Sequence, residues 1–565
     1  MTTVGLAGGS AAVEAIRAAL EDTDATPARV DTDAVGRSDV AVLAATVGSA
    51  AFGHAAERAR ESGTPLVSVE LGGVGGRPVD GVDAAVSGYA PGTACYDCLC
   101  ERIEASDPDT DGGDYATPTA RFAGAVAGRE LADLLAGGES AILGGVIELP
   151  YTRRRLLPVP FCACGEPSGV DRELRRNEEP RPLEESISLA EVAFDERVGP
   201  IGSVGELESF PVPYYLATLA DAPFSEADVP DHAAGVGLDW DPAFMKALGE
   251  ALERYSAAVY RTGGLSTDPA APIDPARFVG PDDEDGQVSY WHDAEHLETG
   301  ETVQVPAELV VFPPPERTIR PAITTGLGLG NGDAEAIRSG LYEVLERDAA
   351  MLSWYSTYEP IELAVDDEDF ETLTNRAASE GLSTTVLLLT QDVDVPVVAA
   401  CVHRDGGWPR FAAGSAARLD PNAAARGALE EAIQNFLELR RMGKERADEA
   451  GGAIGTHAAF PESTRAFVET ETTVPAATVG PADPPREGAE LTALLDRVTA
   501  AGLDAYAARV TPRDVETTGF EAVRVLVPEA QPLFTGESYF GDRAQTVPGS
   551  LGFEPRLNRS YHPFP

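Results

Sequence analysis

Gly328-Leu329-Gly330-Asn331-Gly332-Asp333-Ala334-Glu335 runs on through Gly340-Leu341-Tyr342-Glu343-Val344-Leu345-Glu346-Arg347-Asp348, and its acids recur at helical spacing. On a helix, Glu335, Glu343 and Glu346 fall within an arc of roughly 80°. The same Glu-x-x-Glu-Arg core occurs earlier, in Gly249-Glu250-Ala251-Leu252-Glu253-Arg254. There the two acids stand about 60° apart. Carboxylates crowded on one face repel each other unless a cation lies between them. Hard divalent cations such as Mg²⁺ take oxygen ligands and accompany nucleotide phosphates, and the adjoining arginines are suited to phosphate. The alternative is a pair of solvated helix faces in a very acidic chain.

The 565 residues carry 93 acidic against 43 basic side chains, a formal charge of -50. The acidity is spread along the chain, which argues against a nucleic-acid partner. Self-repulsion on this scale is relieved by high salt, so a halophilic host is expected. No apolar run approaches the roughly 20 residues of a membrane span. The N-terminus lacks the basic start of a secretory signal, so a cytoplasmic location is expected.

The length is ample for two cores, and the chain divides near residue 180. In the first part, Val4-Gly5-Leu6-Ala7, Val40 to Ala45 and Leu66 to Leu71 are short apolar runs suited to buried parallel strands. Helical stretches at Ala11–Leu20 and Ala50–Ser62 separate them, predicting a Rossmann-like α/β unit. Gly5-x2-Gly8-Gly9 is not a dinucleotide fingerprint and reads as a tight turn. Cys95-x2-Cys98 and Cys162-x-Cys164 form two knuckles, and in a reducing compartment paired knuckles point to Zn²⁺ before disulfides. Cys100 is a spare ligand, and Cys401 reads as core.

The Asn331-x3-Glu335-x7-Glu343-x2-Glu346-Arg347 run resembles the nucleotide-binding signature of the YcaO family. Glu250-x2-Glu253-Arg254 is similar to the family's first Mg-ATP helix, and Ala428-Leu429-Glu430-Glu431-Ala432-Ile433-Gln434 to its later Glu-x2-Gln helix. No P-loop is present, in keeping with that family. The resemblance, over residues 186–565, implies an α+β fold binding ATP and Mg²⁺. It implies Glu250, Glu253, Glu343 and Glu346 around magnesium, and Arg254, Asn331, Glu335, Arg347, Glu431 and Gln434 in the nucleotide site. Residues 1–180, with Tyr89 to Leu99 and Pro160-Phe161-Cys162-Ala163-Cys164-Gly165, resemble the E1-like proteins that accompany YcaO enzymes and capture a precursor peptide by its leader. The Cys-x-Cys departs from that pattern.

The resemblance implies an ATP-dependent cyclodehydratase, of the kind used in bacteriocin biosynthesis. A Cys, Ser or Thr side chain of the precursor attacks the preceding carbonyl, the resulting oxygen takes the γ-phosphoryl group, and loss of phosphate leaves an azoline. The closing Tyr561-His562-Pro563-Phe564-Pro565 resembles the Pro-rich tail of azoline-forming members, which implies catalytic parts for Pro563 and Pro565. His562 reads as a proton shuttle from its ordinary pKa. A frayed terminus is the plainer alternative. Thioamide formation, a non-catalytic docking scaffold and an adenylating enzyme are the competing readings. The family's habits imply a homodimer and, in some systems, a flavin dehydrogenase that oxidises the rings.

Overall fold

A computed structural model describes residues 2–110, 113–138, 140–150, 152–165, 174–176, 181–281, 287–450, 452–486 and 488–564. Most of the charged, Pro-punctuated connector expected at 177–182, most of the solvated turn expected at 281–286, and Pro565 lie outside the described residues.

The N-terminal sheet has seven strands, β1 (Thr3–Ala7), β2 (Thr26–Arg29), β3 (Val40–Thr46), β4 (Leu66–Leu71), β5 (Ala84–Tyr89), β6 (Gly145–Leu149) and β7 (Thr152–Arg155), in the order β2-β1-β3-β4-β5-β6-β7. The first four are mutually parallel, which the continuous apolar runs of β1, β3 and β4 suit; β2 is a short, largely polar edge strand. From β5 onward the pairing turns antiparallel, an extension the sequence did not signal. Helices α1 (Ala11–Leu20), α2 (Ala51–Ser62), α3 (Tyr96–Ala105) and α4 (Thr117–Leu135) cover the sheet. Gly8 sits at φ +104°, and a Cβ there would lie 2.3 Å from the Ala44 carbonyl of β3. That turn is glycine because another strand passes against it, which supports the structural reading of Gly5-x2-Gly8-Gly9.

After α5 (Leu183–Ala190), three further sheets follow, and each delivers one helix to a common centre. Strands β8 (Ile201–Glu208), β9 (Tyr214–Leu219) and β10 (His232–Val236) carry α6 (Trp240–Ala258). Strands β11 (Trp291–His296), β12 (Thr302–Pro306) and β13 (Leu327–Gly330) join β19 and β20 in the order β12-β11-β19-β20-β13, and β13 leads into α7 (Asp333–Trp354). Strands β14 (Ile361–Ala364), β15 (Ser383–Leu388), β16 (Val397–His403), β17 (Phe411–Ala417) and β18 (Thr473–Pro475) form the last sheet, with α8 (Glu368–Ser379) and α9 (Pro421–Met442) against it. Strands β19 (Tyr506–Arg509) and β20 (Glu521–Leu526) return late in the chain to complete the middle sheet.

Glycines let each helix lie hard on its strand. A Cβ on Gly235 would meet Ala247 N at 2.2 Å, on Gly328 the Ala336 carbonyl at 2.2 Å, and on Gly414 Ala432 N at 2.4 Å. Asp420 caps α9 by accepting from Asn422 N at 2.9 Å, with Pro421 fixing the first turn. One apolar core runs from the N-terminal sheet into the rest of the molecule, packing Phe52, Leu99 and Ile103 with Leu248, Leu252, Tyr255 and Phe520. Cys401 is buried in β16, as expected. Among the described residues no helix is long and apolar enough to cross a membrane.

Candidate active site

Helices α6, α7 and α9 bring Glu250, Glu253, Glu343, Glu346 and Glu431 into one recessed cleft, with Arg254 and Arg347 between them. Arg254 reaches Glu250 at 3.1 Å and Glu253 at 3.9 Å. Arg347 reaches Glu346 at 3.4 Å, Glu431 at 3.8 Å and Glu343 at 4.0 Å. Ser415, on β17, stitches two of the helices together: its hydroxyl donates to Glu346 at 2.7 Å and its N–H to Glu431 at 2.6 Å. Glu343 accepts from Gly326 N at 3.0 Å.

Five carboxylates share two guanidinium groups, so negative charge is in excess. Burial pushes Glu253 and Glu346 up to about 8, and the neighbouring carboxylates push the same way. Glu250 and Glu431 are raised for the same reasons. Arg347 is raised in spite of burial, because Glu346, Glu431 and Glu343 surround it. Glu346 is 9% exposed whereas Glu250 keeps 34%, so the acids are graded from buried to part-exposed. An oxygen-only set with surplus negative charge fits Mg²⁺, which would neutralise it and bridge to phosphate oxygens.

The remaining predicted residues are engaged differently. Glu335 accepts from the side chain of Asn331 at 2.9 Å and its backbone at 3.0 Å, while Ser186 donates to Asn331 Oδ1 at 2.7 Å. Glu335 therefore stands two turns, about 12 Å, along α7 from Glu343. Gln434 donates to Glu438 at 3.0 Å, and Tyr214 donates to the same carboxylate at 3.1 Å. Ser186, Ser415, Tyr214 and Glu438 were not foreseen. Only Glu438 left a trace in the sequence, lying four residues beyond Gln434 on the same helix face.

The C-terminal tail is docked, not frayed. Trp354, closing α7, donates its indole N–H to Ser560 O at 2.8 Å, and Arg559 lies 3.6 Å over the same ring. His562, Pro563 and Phe564 are buried. The His562 nitrogens face the carbonyls of Phe564 at 3.1 Å and Phe534 at 3.0 Å. Burial lowers its pKa to about 4 against those two bonds, and Arg347 adds to the lowering. This corrects the premise of an ordinary imidazole: the ring is an anchor, set within the electrostatic reach of the cleft.

In the N-terminal half, Cys95, Cys98, Cys162 and Cys164 hold their sulfurs within 4.8 Å of one another. The Cys95–Cys162 and Cys98–Cys164 separations are 3.5 Å, and Cys95–Cys98 is 3.8 Å. Val159 N–H donates to Cys98 Sγ at 3.3 Å and Arg513 to Cys164 Sγ at 3.4 Å. Such a set could hold a metal ion. Cys100 stays outside it, its thiol pushed up to about 12 by burial and then by Glu70.

A buried node connects the two regions. Arg102, four residues after Cys98 on α3, pairs with Asp514, the side chains being 1% and 0% exposed. Tyr255, beside Arg254 on α6, donates to Asp514 at 2.6 Å and accepts from Arg102 at 3.3 Å.

Comparison with known proteins agrees with this geometry. The YcaO family (YcaO cyclodehydratase, ATP- and Mg²⁺-binding) matches residues 234–531. The chain belongs to that family and is an ATP-dependent cyclodehydratase by that membership. It is 32% identical over 265 residues to an uncharacterised protein of Methanothermobacter thermautotrophicus, covering 43% of this chain and 67% of that protein. In fold it is similar to a heterocyclase solved in complex with substrate and cofactor, with TM-score 0.71, 19% identity, and coverage of 98% of this chain and 83% of the other. It is also similar to YcaO from Methanopyrus kandleri bound with AMPPCP and Mg²⁺, with TM-score 0.51, 24% identity, and coverage of 64% and 94%.

Proposed function

We propose that the chain closes azoline rings at Cys, Ser or Thr residues of a leader-bearing precursor peptide, consuming one ATP per ring. The observation that carries this is the gathering of Glu250, Glu253, Glu343, Glu346 and Glu431 around Arg254 and Arg347, within reach of a docked Pro-containing tail. Mg²⁺ held by these carboxylates supplies charge neutralisation at the triphosphate. The peptide's side-chain oxygen or sulfur bonds to the preceding carbonyl carbon and gives up its proton. The former carbonyl oxygen then bonds to the γ-phosphorus as the bond to ADP breaks. The nitrogen loses its proton, the C–O bond to phosphate breaks, and the ring C=N forms. The protein's contribution is positioning and electrostatics. Arg347, fixed among three carboxylates, is preorganised toward the nucleotide. Asn331 and Glu335 order the turn that begins α7, and Gln434 with Glu438 lines the far wall.

Pro563 and Pro565 complete the peptide side of the cleft in this proposal, with His562 as their anchor. Residues 1–180 take the leader and residues 186–565 carry the chemistry. Presenting both on one chain raises the local concentration of the core peptide at the cleft. The four cysteines hold zinc: a tetrahedral Zn–S distance of about 2.3 Å sets the sulfurs ~3.8 Å apart, close to the spacings found. A cytoplasmic homodimer in a high-salt host, with a separate flavin dehydrogenase as a later partner, completes the proposal.

The test is incubation of the full chain with a short leader-bearing, Cys/Ser/Thr-rich peptide and Mg-ATP. One water lost from the peptide and one phosphate released per ring are expected. Pyrophosphate release would indicate adenylation, exchange of oxygen for sulfur a thioamide, and absence of nucleotide turnover a docking scaffold. Any of the three would overturn the reading.

A further inference from the structure

Near the acidic cleft, two arginines have been left without an acid. Arg524, on β20 opposite Leu327 of β13, is 2% exposed. Its terminal nitrogens donate to the backbone carbonyls of Thr324 at 2.6 Å and Ile323 at 2.7 Å, and its buried Nε has no partner. Arg320 makes one long bond, 3.4 Å to the Val279 carbonyl, and its Nε is buried without a partner too. Neither forms an ion pair within 4.0 Å among the described residues, in a chain with 93 acids to choose from. Arg320 also lines a cavity of about 20 Å³ with Thr325 and Gln531. That is room for about one water, too little for a ligand of its own.

A buried guanidinium beside a second one is costly unless an anion joins them. Burial and then Arg320 make Arg524 easier to deprotonate than an ordinary arginine, while the fields of Glu343 and Glu253 oppose this. Arg524 therefore lies within the electrostatic reach of Glu343 and Glu253 with no carboxylate in contact among the described residues. The other cleft arginines differ: Arg254 and Arg347 already lie among carboxylates. The loop whose carbonyls grip Arg524 also donates Gly326 N–H to Glu343. One short segment thus sets the spacing between a magnesium carboxylate of the proposed site and a free guanidinium. Backbone carbonyls hold that guanidinium still, so it needs no rearrangement to meet an anion.

We propose that Arg524, with Arg320 behind it, binds the terminal phosphoryl group of the nucleotide. This rests on the nucleotide site proposed above and adds the pair that distinguishes triphosphate from diphosphate. The planar fork of Arg524 keeps N–H groups free for phosphoryl oxygens. These donors stay with the phosphoryl group as its bond to ADP breaks and its bond to the peptide oxygen forms, where charge on its oxygens is spread widest.

Calorimetry on the full chain in concentrated KCl, with Mg-AMPPCP and Mg-ADP as probes, tests this. Arg524→Gln and Arg320→Gln are each expected to weaken Mg-AMPPCP about tenfold or more, the scale of a charge-assisted hydrogen bond. Mg-ADP should change by less than about twofold, whereas Glu346→Gln should weaken both. An unchanged AMPPCP-to-ADP preference in both arginine variants would overturn the assignment, as would equal loss of both probes. Wild-type protein that binds neither probe would instead sink the nucleotide site itself, and this inference with it. Arg320 is only half-buried, so its variant carries the test if Arg524→Gln does not fold.

Discussion

Four cysteine sulfurs and five carboxylates are each gathered from distant stretches of the chain, yet the two clusters are held in different ways. Three sulfur pairs stand 3.5–3.8 Å apart and all four sulfurs lie within 4.8 Å of one another, with backbone and guanidinium N–H groups donating to Cys98 and Cys164. The carboxylates are kept apart by two arginines and one serine, and Glu250 remains a third exposed. A closed set of soft ligands suits an ion that stays. A partly open set of hard ligands with unbalanced charge suits an ion that arrives and leaves with each nucleotide. In the proposal, charge excess and openness, not ligand number, separate the structural site from the working one.

Breaking the cysteine cluster should have the largest effect. Cys98→Ser is expected to lose the metal and roughly 5 kcal/mol or more of stability, a fraction of the ~10–16 kcal/mol that a structural zinc supplies. Metal analysis alongside thermal melting checks this; full stability with no metal bound in the wild type would remove zinc from the account. Glu346→Gln sharpens the contrast, since it should cut turnover about 100-fold or more while leaving the melting temperature equal or higher. Gln keeps an oxygen acceptor for the Ser415 hydroxyl and removes an acid whose ionisation burial opposes. A large fall in melting temperature would show that the carboxylates are structural after all.

The acidic cleft should also respond to pH in a defined direction. Glu253 and Glu346 have folded values of about 8 against an ordinary 4.5. In the ion-free protein, their contribution to stability is complete below 4.5 and is lost as pH rises through about 8. Mg-AMPPCP binding should run the opposite way, tightening with pH over the same window and releasing protons. Calorimetry in buffers of different ionisation enthalpy reads that release, and pH-independent binding would contradict it. The smallest effect should come from the node between the clusters. Tyr255→Phe removes the hydrogen bonds to Asp514 and from Arg102 but leaves the Arg102–Asp514 pair, and should cost about 1.5 kcal/mol in chemical denaturation.

Much of the nucleotide cleft was legible because its acids interrupt apolar helices at fixed spacing. Glu343 and Glu346 share a face of α7, and the repeat of Glu-x-x-Glu-Arg on α6 marked both helices together. The parallel core of β1, β3 and β4 was legible from uninterrupted apolar runs. Ser415 and Ser186 were not, because each reaches the site from a different element, 69 and 145 residues from the groups they bind. Arg524 and Arg320 were hidden for another reason: their meaning lies in the partner they lack. The antiparallel β5 and β6 could not be told from parallel neighbours, since burial on both faces erases the alternation that distinguishes them.

The Arg102–Tyr255–Asp514 node makes the molecule hard to divide. A cut near residue 180 would leave one fragment with a cation sealed in hydrocarbon and the other with an anion in the same plight. Neither piece would rest comfortably alone. Co-expressed fragments should seek each other out and reassemble through that lock, making their mutual affinity a direct gauge of how firmly the proposed peptide capture is yoked to ring closure.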